Sequence, residues 1–220
     1  MEEIDYQKLY LLQDKILKLV TNLDNDFYLT GGTALHRFYY DARYSDDLDF
    51  FVSSGVSFSE DVQEVVETLK SQNYRVREDV KARDFYRLMV DDSLQLDFVN
   101  DRVYRYKKSE IINGMRIDNK INILTNKLNA ILNRDEEKDI FDLFCLAYHE
   151  EFYWKEMLEI ANKKAPVEKD ILIYRLKSFP LEWLEKIKQI RNIAISKKDV
   201  ITLCDDILHE GNNSLFVRAT

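Results

Sequence analysis

Phe27-Tyr28-Leu29-Thr30-Gly31-Gly32-Thr33-Ala34-Leu35 is an apolar run that meets two glycines and then continues with apolar residues at helical spacing. The first four residues predict a strand, and the segment from Thr33 to Tyr40 predicts a helix. Glycine reaches positive φ at little cost and lets another group approach the backbone closely. The start of the helix would direct unpaired N–H groups toward an anion, with the Thr33 hydroxyl as a further donor. This junction therefore predicts a phosphate site formed by Gly31, Gly32 and Thr33.

Two alternating carboxylates follow in the stretch Arg43-Tyr44-Ser45-Asp46-Asp47-Leu48-Asp49-Phe50-Phe51. The run from Leu48 to Val52 predicts a strand, and the two-residue period of a strand places Asp47 and Asp49 on one face. Neighbouring hard oxygen ligands suit Mg²⁺ or Mn²⁺, which complete their coordination with water and substrate phosphates. The pair predicts a site for a metal-bound nucleotide.

A further aspartate lies in a similar apolar setting. Ser93-Leu94-Gln95-Leu96-Asp97-Phe98-Val99 alternates as a strand. If this strand neighbours the one that carries Asp49, Asp97 can serve as a third metal ligand or as the base that accepts a proton from the attacking hydroxyl.

Each of these motifs also has a simpler interpretation. Paired glycines before a helix often form only a tight turn, and short glycine motifs match by accident. The acidic run can be a solvated strand edge that prevents pairing with another chain. The active-site interpretation is favoured because both motifs occur together, in suitable elements and at a workable spacing.

Together with Lys127-Leu128-Asn129-Ala130, Arg134 and Lys138-Asp139-Ile140-Phe141-Asp142-Leu143, these motifs resemble the AbiEii/AbiGii-type nucleotidyltransferase toxins, a branch of the DNA polymerase β-like superfamily. The resemblance extends from about Phe27 to Leu146. It implies that Lys127 contacts the triphosphate of the nucleotide. It also implies a toxin with an antitoxin encoded alongside, and tRNA as the acceptor for some relatives.

The sequence leaves the roles of the remaining polar residues open. Asp142 matches the second aspartate of the family motif and would orient a lysine or a base. Arg43 would either hold a phosphate or brace its loop, and Ser45 would cap that loop. Asp139 and Asp142 open a predicted helix, where carboxylates are favoured by the dipole whatever their function.

The pattern of elements predicts an α+β fold. A helix from about Ile4 to Leu23 precedes the first strand, and alternating segments predict strands of a mixed or antiparallel sheet. The pattern is helical after the short run Met115 to Ile117. We therefore expect a nucleotidyltransferase-type α+β lobe over residues 1–114, with helices flanking the sheet, and an all-α lobe over residues 115–220.

Composition predicts a cytoplasmic globular protein without a membrane anchor. The 220 residues are 45% apolar, which is enough to bury a sizeable core. Met1 to Asp5 carries acids where a signal peptide would carry bases, and no apolar run is as long as a membrane span. Cys145 and Cys204 are expected to be reduced and buried.

The net charge and the positions of the basic residues indicate which partners the chain can bind. A formal net charge of −8 argues against broad nonspecific binding of nucleic acid. Basic residues are nevertheless concentrated in the helical half and around Tyr104 and Tyr106, where Arg105, Lys107 and Lys108 are adjacent. This segment predicts a rim that holds an RNA end by backbone contacts and stacking. An ordinary solvated face is an equally good interpretation.

These observations predict a Mg²⁺-dependent nucleotidyltransferase that moves a nucleoside monophosphate from an NTP to an acceptor hydroxyl, with RNA as the first candidate. Two alternatives stay open. The acceptor can be a protein side chain or a small molecule such as an antibiotic. The chain can also be a noncatalytic module that senses nucleotide, although three neighbouring carboxylates are costly to keep without catalysis.

Overall fold

A computed structural model describes residues 4–216, so the acidic N-terminus lies partly outside the described residues. The chain divides into two compact units. Unit 1 comprises the residues up to Tyr39, Ser45–Arg102 and Lys108–Asp118, and unit 2 comprises Tyr40–Tyr44, Val103–Lys107 and the residues from Asn119 onward. The α+β class predicted from the sequence is confirmed.

The strands described for residues 4–216 form one seven-stranded sheet in unit 1, in the order β3-β4-β5-β2-β1-β7-β6. Two pairs, β2 with β5 and β1 with β7, are parallel, and the other neighbours are antiparallel. The strands are β1 Tyr28–Thr30, β2 Leu48–Ser53, β3 Val76–Ala82, β4 Phe85–Val90, β5 Leu94–Asp101, β6 Glu110–Ile112 and β7 Met115–Ile117.

The centre of the sheet follows the alternation of the sequence. On β2, Leu48 and Phe50 are buried while Asp49 between them is half-buried. On β5, Leu96 and Phe98 are fully buried, and Phe98 stacks on Phe50 with ring centroids 5.1 Å apart. Because a strand alternates its side chains, this apolar face leaves Asp49 and its neighbours on the opposite face.

The helices of unit 1 cover the apolar face of its sheet. Their bounds are α1 Tyr6–Asn22, α2 Gly31–Leu35, continued by a π-helical turn at His36–Tyr40, and α3 Phe58–Ser71. The side chain of Asp5 accepts a hydrogen bond from the Lys8 N–H and so caps α1. Val62, Val65 and Leu69 of α3 are fully buried, as their helical spacing predicts.

Unit 2 is helical. Its helices are α4 Lys120–Asn133, α5 Glu137–His149, α6 Trp154–Lys164, α7 Lys169–Ser178 and α8 Lys197–His209, with a 3₁₀ segment at Leu181–Lys186. Helix α5 is buried along residues 139–147, with Phe141 and Phe144 fully buried. Within residues 4–216, no helix combines the length and apolarity needed to cross a membrane.

The structure differs from the sequence-based predictions at element ends. Strand β7 pairs parallel with β1 and so joins the sheet, and unit 1 includes Lys108–Asp118. Strand β6 was not predicted, since its three residues are too short to show alternation. The predicted helix from Thr33 begins at Gly31 and changes to a π-helical turn at His36.

The junction between β1 and α2 depends on a glycine at position 31. Gly31 has φ +70°, and a Cβ added there would collide with the carboxylate of Asp49. Gly114 has a similar φ of +78° in the β6–β7 turn, but a Cβ there would meet nothing within 4 Å. The two glycines therefore share a backbone conformation and differ in their surroundings.

We expect Gly31→Ala to destabilise the protein more than Gly114→Ala. Both substitutions carry the cost of a left-handed residue, about 1–2 kcal/mol, and only the first also displaces Asp49. Urea denaturation of the two variants measures the difference directly. Equal losses of unfolding free energy would show that Asp49 can move aside freely.

Candidate active site

The segment between α2 and β2 is held by side-chain hydrogen bonds in unit 1. The buried Thr33 hydroxyl donates to the carbonyl oxygen of Asp47 (2.5 Å) and lies 2.8 Å from the Ser45 hydroxyl. The Ser45 N–H donates to the Tyr10 hydroxyl at 3.1 Å, and Gln13 donates to the Ser45 carbonyl oxygen at 3.1 Å. Thr33 and Ser45 thus fix the backbone that leads into the acidic strand.

Three predicted carboxylates are brought to neighbouring positions by the sheet. Asp49 on β2 and Asp97 on β5 are register partners across a parallel strand pair. Asp47 lies one residue before β2. Asp47 and Asp49 are half-buried, and Asp97 is buried. The Asp49 carboxylate packs against Gly31, where no side chain separates it from the backbone.

An arginine on the next strand binds the third carboxylate. Arg87 on β4 is the antiparallel register partner of Asp97. Its Nε and Nη2 donate to Oδ1 and Oδ2 of Asp97 at 2.8 and 2.7 Å, a bidentate pair. Gln95 donates to Oδ2 at 3.3 Å. The bonds from Arg87 to Asp97 hold the pKa of the guanidinium above its ordinary value against the effect of burial, and the charges of Asp97, Asp49 and Asp47 add to this rise.

Arg87 is a functional candidate that sequence motifs do not reveal. No motif surrounds it in the sequence, and an arginine on a half-exposed strand is usually solvated. Its importance follows from the pairing of β4 with β5, which faces it to Asp97. The hairpin between these strands is local enough that the register could have been read from the alternation on both sides.

The donor set fits a hard divalent cation. Asp47 and Asp49 supply carboxylate oxygens of the kind that Mg²⁺ prefers, and they share a region to which the Arg87 charge is also attracted. Within residues 4–216, no group of three or more His, Cys, Asp or Glu side chains is placed to hold a metal ion. The role of Asp97 as a third ligand therefore stays a prediction.

Three predicted site residues, Arg43, Lys127 and Asp142, belong to a charge cluster in unit 2, here called the buried charge cluster. Its other members are the buried Asp139 and Arg134, whose side chain at the edge of the cluster is 59% exposed. Lys127 Nζ lies 2.8 Å from Asp139 Oδ1 and 2.7 Å from Asp142 Oδ2. Arg43 binds both oxygens of Asp142 at 2.7 and 2.9 Å. Arg134 binds both oxygens of Asp139 at 2.7 and 3.1 Å.

Neighbouring elements of unit 2 position this cluster. Asp139 and Asp142 are three residues apart on α5 and so share one face of the helix. Lys127 lies on α4, and Arg43 belongs to the segment Tyr40–Tyr44. That segment is pinned because the Tyr44 N–H donates to the Lys188 carbonyl oxygen at 3.0 Å. The backbone therefore fixes the positions from which Arg43, Lys127, Asp139 and Asp142 extend.

The cluster keeps Lys127 and Asp139 charged. Burial opposes the charge of Lys127, but the carboxylates of Asp142 and Asp139 outweigh it and hold the pKa of the ammonium above its ordinary value. Burial likewise opposes ionisation of Asp139, but Lys127 and Arg134 hold the pKa of that carboxyl below its ordinary value. These are the conditions under which a buried ion pair is stable.

The contacts bear on the roles that the family resemblance implied. Asp142 contacts Lys127 directly, as orientation of that lysine would require. Two of the three N–H donors of Lys127 are directed to carboxylates, which leaves one for a further acceptor. All three nitrogens of Arg43 donate to protein oxygens, since its Nη1 bonds the Tyr44 carbonyl at 2.9 Å. The contacts of Arg43 favour a bracing role.

A model of the family described as "Nucleotidyl transferase AbiEii toxin, Type IV TA system" matches residues 18–210 of this chain. Among curated proteins, the uncharacterized protein aq_aa25 of Aquifex aeolicus is 32% identical over 163 residues, which cover 72% of this chain and 76% of that protein.

Solved structures share the fold. JHP933 from Helicobacter pylori is 24% identical with a TM-score of 0.57, over 84% of this chain and 79% of that one. The Megavirus polyadenylate synthase is 20% identical with a TM-score of 0.51, over 66% of this chain and 32% of that one. At these identities the likeness concerns the arrangement of the backbone.

We expect Asp142→Asn to lower the free energy of unfolding by about 3–5 kcal/mol, because it leaves the buried charges of Arg43 and Lys127 short of a carboxylate. The matched control is Asp135→Asn, whose carboxylate pairs with Arg175 at 2.7 Å but whose side chain is 70% exposed. That control is expected to cost no more than about 1 kcal/mol. Similar losses for both variants in guanidinium denaturation would show that the cluster contributes no special stability.

Proposed function

This chain belongs to the AbiEii nucleotidyltransferase toxin family, and from that membership we propose that it is a Mg²⁺-dependent enzyme that transfers a nucleoside monophosphate from an NTP to a hydroxyl of an RNA, with tRNA as the first candidate acceptor. The observation that carries the proposal is the placement of Asp49 opposite Asp97, with Asp47 close by and the Gly31 backbone against Asp49.

Each carboxylate has a role in the proposed reaction. Asp47 and Asp49 would hold the metal, which when bound would neutralise charge on the triphosphate. The oxygen of the acceptor hydroxyl attacks the α-phosphorus, a new P–O bond forms, and the bond to pyrophosphate breaks. Asp97 would accept the proton that the hydroxyl loses, because it lies on the same face of the sheet as Asp49.

The triphosphate needs donors and positive charge. We assign the donors to the backbone N–H groups of Gly31, Gly32 and Thr33, because the Thr33 hydroxyl already donates its proton to the Asp47 carbonyl oxygen. Lys127 is the proposed ammonium for the phosphates, with one N–H left beyond its two carboxylate partners. Ser45 supports the same segment through Thr33, and Arg43 acts through Asp142.

An RNA acceptor is supported by a basic and aromatic surface in unit 2, formed by Tyr104, Tyr106, Lys107 and Lys163. Lys163 Nζ lies 5.1 Å from the ring centroid of Tyr104, and Lys107 Nζ lies 5.0 Å from that of Tyr106. Tyr104 is 40% exposed. Asn122 accepts from the Tyr106 N–H and Asn119 donates to its carbonyl oxygen, both at 2.9 Å, so the surface has a fixed backbone.

Such a surface suits single-stranded RNA, because ammonium groups attract phosphates and aromatic rings stack on bases. Its positive charge is local in a chain of net charge −8. We include a cognate antitoxin among the proposed partners, since the family description names a toxin–antitoxin system. We place the reaction in the cytoplasm, where NTPs and tRNA are available.

The central experiment incubates the purified protein with each α-³²P-labelled NTP, Mg²⁺ or Mn²⁺ and total cellular RNA. We expect label in a tRNA-sized band, with loss of at least about 100-fold in rate for the Asp47→Asn, Asp49→Asn double variant. The control is Glu60→Ala, Glu64→Ala, which removes two exposed acidic side chains from α3.

The outcomes separate the remaining acceptors. Label that migrates with protein and resists ribonuclease would identify a protein as the acceptor instead of RNA. Label in a small molecule would identify that molecule as the acceptor. Full transfer by the Asp47→Asn, Asp49→Asn variant would overturn the assignment of the carboxylates. Binding of NTP by calorimetry without any turnover would identify a nucleotide sensor.

The basic and aromatic surface leads to a separate prediction about RNA binding. We expect Tyr104→Ala combined with Lys163→Ala to raise the KM for RNA by about tenfold, while the KM for the NTP and the rate at saturating RNA stay unchanged. Steady-state kinetics with varied RNA measures this split. An unaltered KM for RNA would leave this surface as an ordinary solvated face.

A further inference from the structure

Arg87 bonds both oxygens of Asp97, the carboxylate to which the proposed reaction assigns the proton of the acceptor hydroxyl. The fork of Arg87 bonds Oδ1 and Oδ2 of Asp97 at 2.8 and 2.7 Å, and Gln95 bonds Oδ2 at 3.3 Å. A carboxylate used in this way has little lone-pair capacity left on the side that faces the guanidinium. Asp97 cannot therefore be a free ligand in this arrangement.

The position of Arg87 is built into the sheet. Arg87 and Asp97 are register partners on adjacent antiparallel strands, where directly opposed side chains are close. Phe85, two residues earlier on β4, lies under the guanidinium with its ring centroid 5.5 Å from Cζ. Asp97 in turn is the register partner of Asp49. The side chains of Arg87, Asp97 and Asp49 thus lie on three adjacent strands of the sheet, β4, β5 and β2.

The charge of Arg87 reaches beyond Asp97. Asp49 and Asp47 also attract the guanidinium. Three carboxylates in one region repel one another, and the positive charge of Arg87 offsets part of that repulsion. A divalent cation bound to Asp47 and Asp49 would be repelled by the same guanidinium. Arg87 and a metal ion therefore compete for this acidic region.

We propose that Arg87 is a positioning residue that withholds Asp97 from the metal, so that Asp97 becomes a ligand or a base only when it exchanges the guanidinium for the metal-bound substrate. This inference rests on the proposed function, because it presumes the metal at Asp47 and Asp49. The exchange is feasible because the Arg87 side chain is 38% exposed and water can solvate the released guanidinium.

The inference predicts tighter metal binding when the guanidinium is removed. We expect Arg87→Gln to lower the Kd for Mn²⁺ by about tenfold, measured by electron paramagnetic resonance of free Mn²⁺ without nucleotide. Arg87→Lys keeps the charge and loses the bidentate fork, so its Kd should fall by a smaller factor. The lysine variant also keeps the test available if the glutamine variant does not fold.

Two controls link the effect to the right partners. Arg77→Gln removes an arginine of the neighbouring strand β3 that is bound instead to Asp79 and Asp92 at 2.6 and 2.9 Å, so the Kd for Mn²⁺ should not change. In an Asp97→Asn background, Arg87→Gln should lose most of its effect, because the carboxylate that it releases is absent.

The outcomes distinguish this inference from the proposed function. If wild type binds Mn²⁺, the Asp47→Asn, Asp49→Asn variant does not, and Arg87→Gln binds with unchanged or weaker affinity, the withholding role of Arg87 is wrong and the metal site stands. If wild type and Arg87→Gln both fail to bind Mn²⁺ at millimolar concentration, the metal site and the inference are both overturned.

Discussion

The parallel pairing of β2 with β5 is the constraint on which the site depends. It sets Asp49 opposite Asp97, and the same register places Leu48 opposite Leu96 and Phe50 opposite Phe98 on the other face. A slip of one residue would exchange these faces and bury the carboxylates in the core. The hydrophobic core of unit 1 therefore fixes the position of its acidic residues, and stability and chemistry cannot be altered independently at these strands.

Local sequence patterns were sufficient for part of the site. Asp47 and Asp49 are two residues apart, so a prediction of strand at this point already placed them on one face. The φ of +70° at Gly31 follows from a strand that turns into a helix. Its contact with Asp49 required the pairing of β1 with β2, which opposes Thr30 to Asp49 and is not visible in either segment alone.

Longer-range features needed the structure. The predicted role of Asp97 depends on whether its strand neighbours that of Asp49. That pairing joins segments almost fifty residues apart in the sequence. Arg87 was overlooked because an arginine on a half-exposed strand is usually solvated. The burial of Lys127 was not predicted either, since a lysine on a helix is rarely buried unless it is paired, and its partners lie on α5.

The buried charge cluster and the Arg87–Asp97 pair differ in how easily their ion pairs can be broken. In the buried charge cluster, the side chains of Asp139 and Asp142 are 1% and 0% exposed, so breaking a pair would leave a desolvated charge without a partner. The pair of Arg87 with Asp97 has one partner that is 38% exposed, and water can replace part of the lost interaction. Lys127 and Arg43 are consequently held in one arrangement, whereas the exchange that we propose for Asp97 would cost less free energy. The proposed exchange is thus located at the carboxylate to which we assign the proton of the acceptor hydroxyl, whereas the pair of Arg43 with Asp142 holds the segment that carries Arg43.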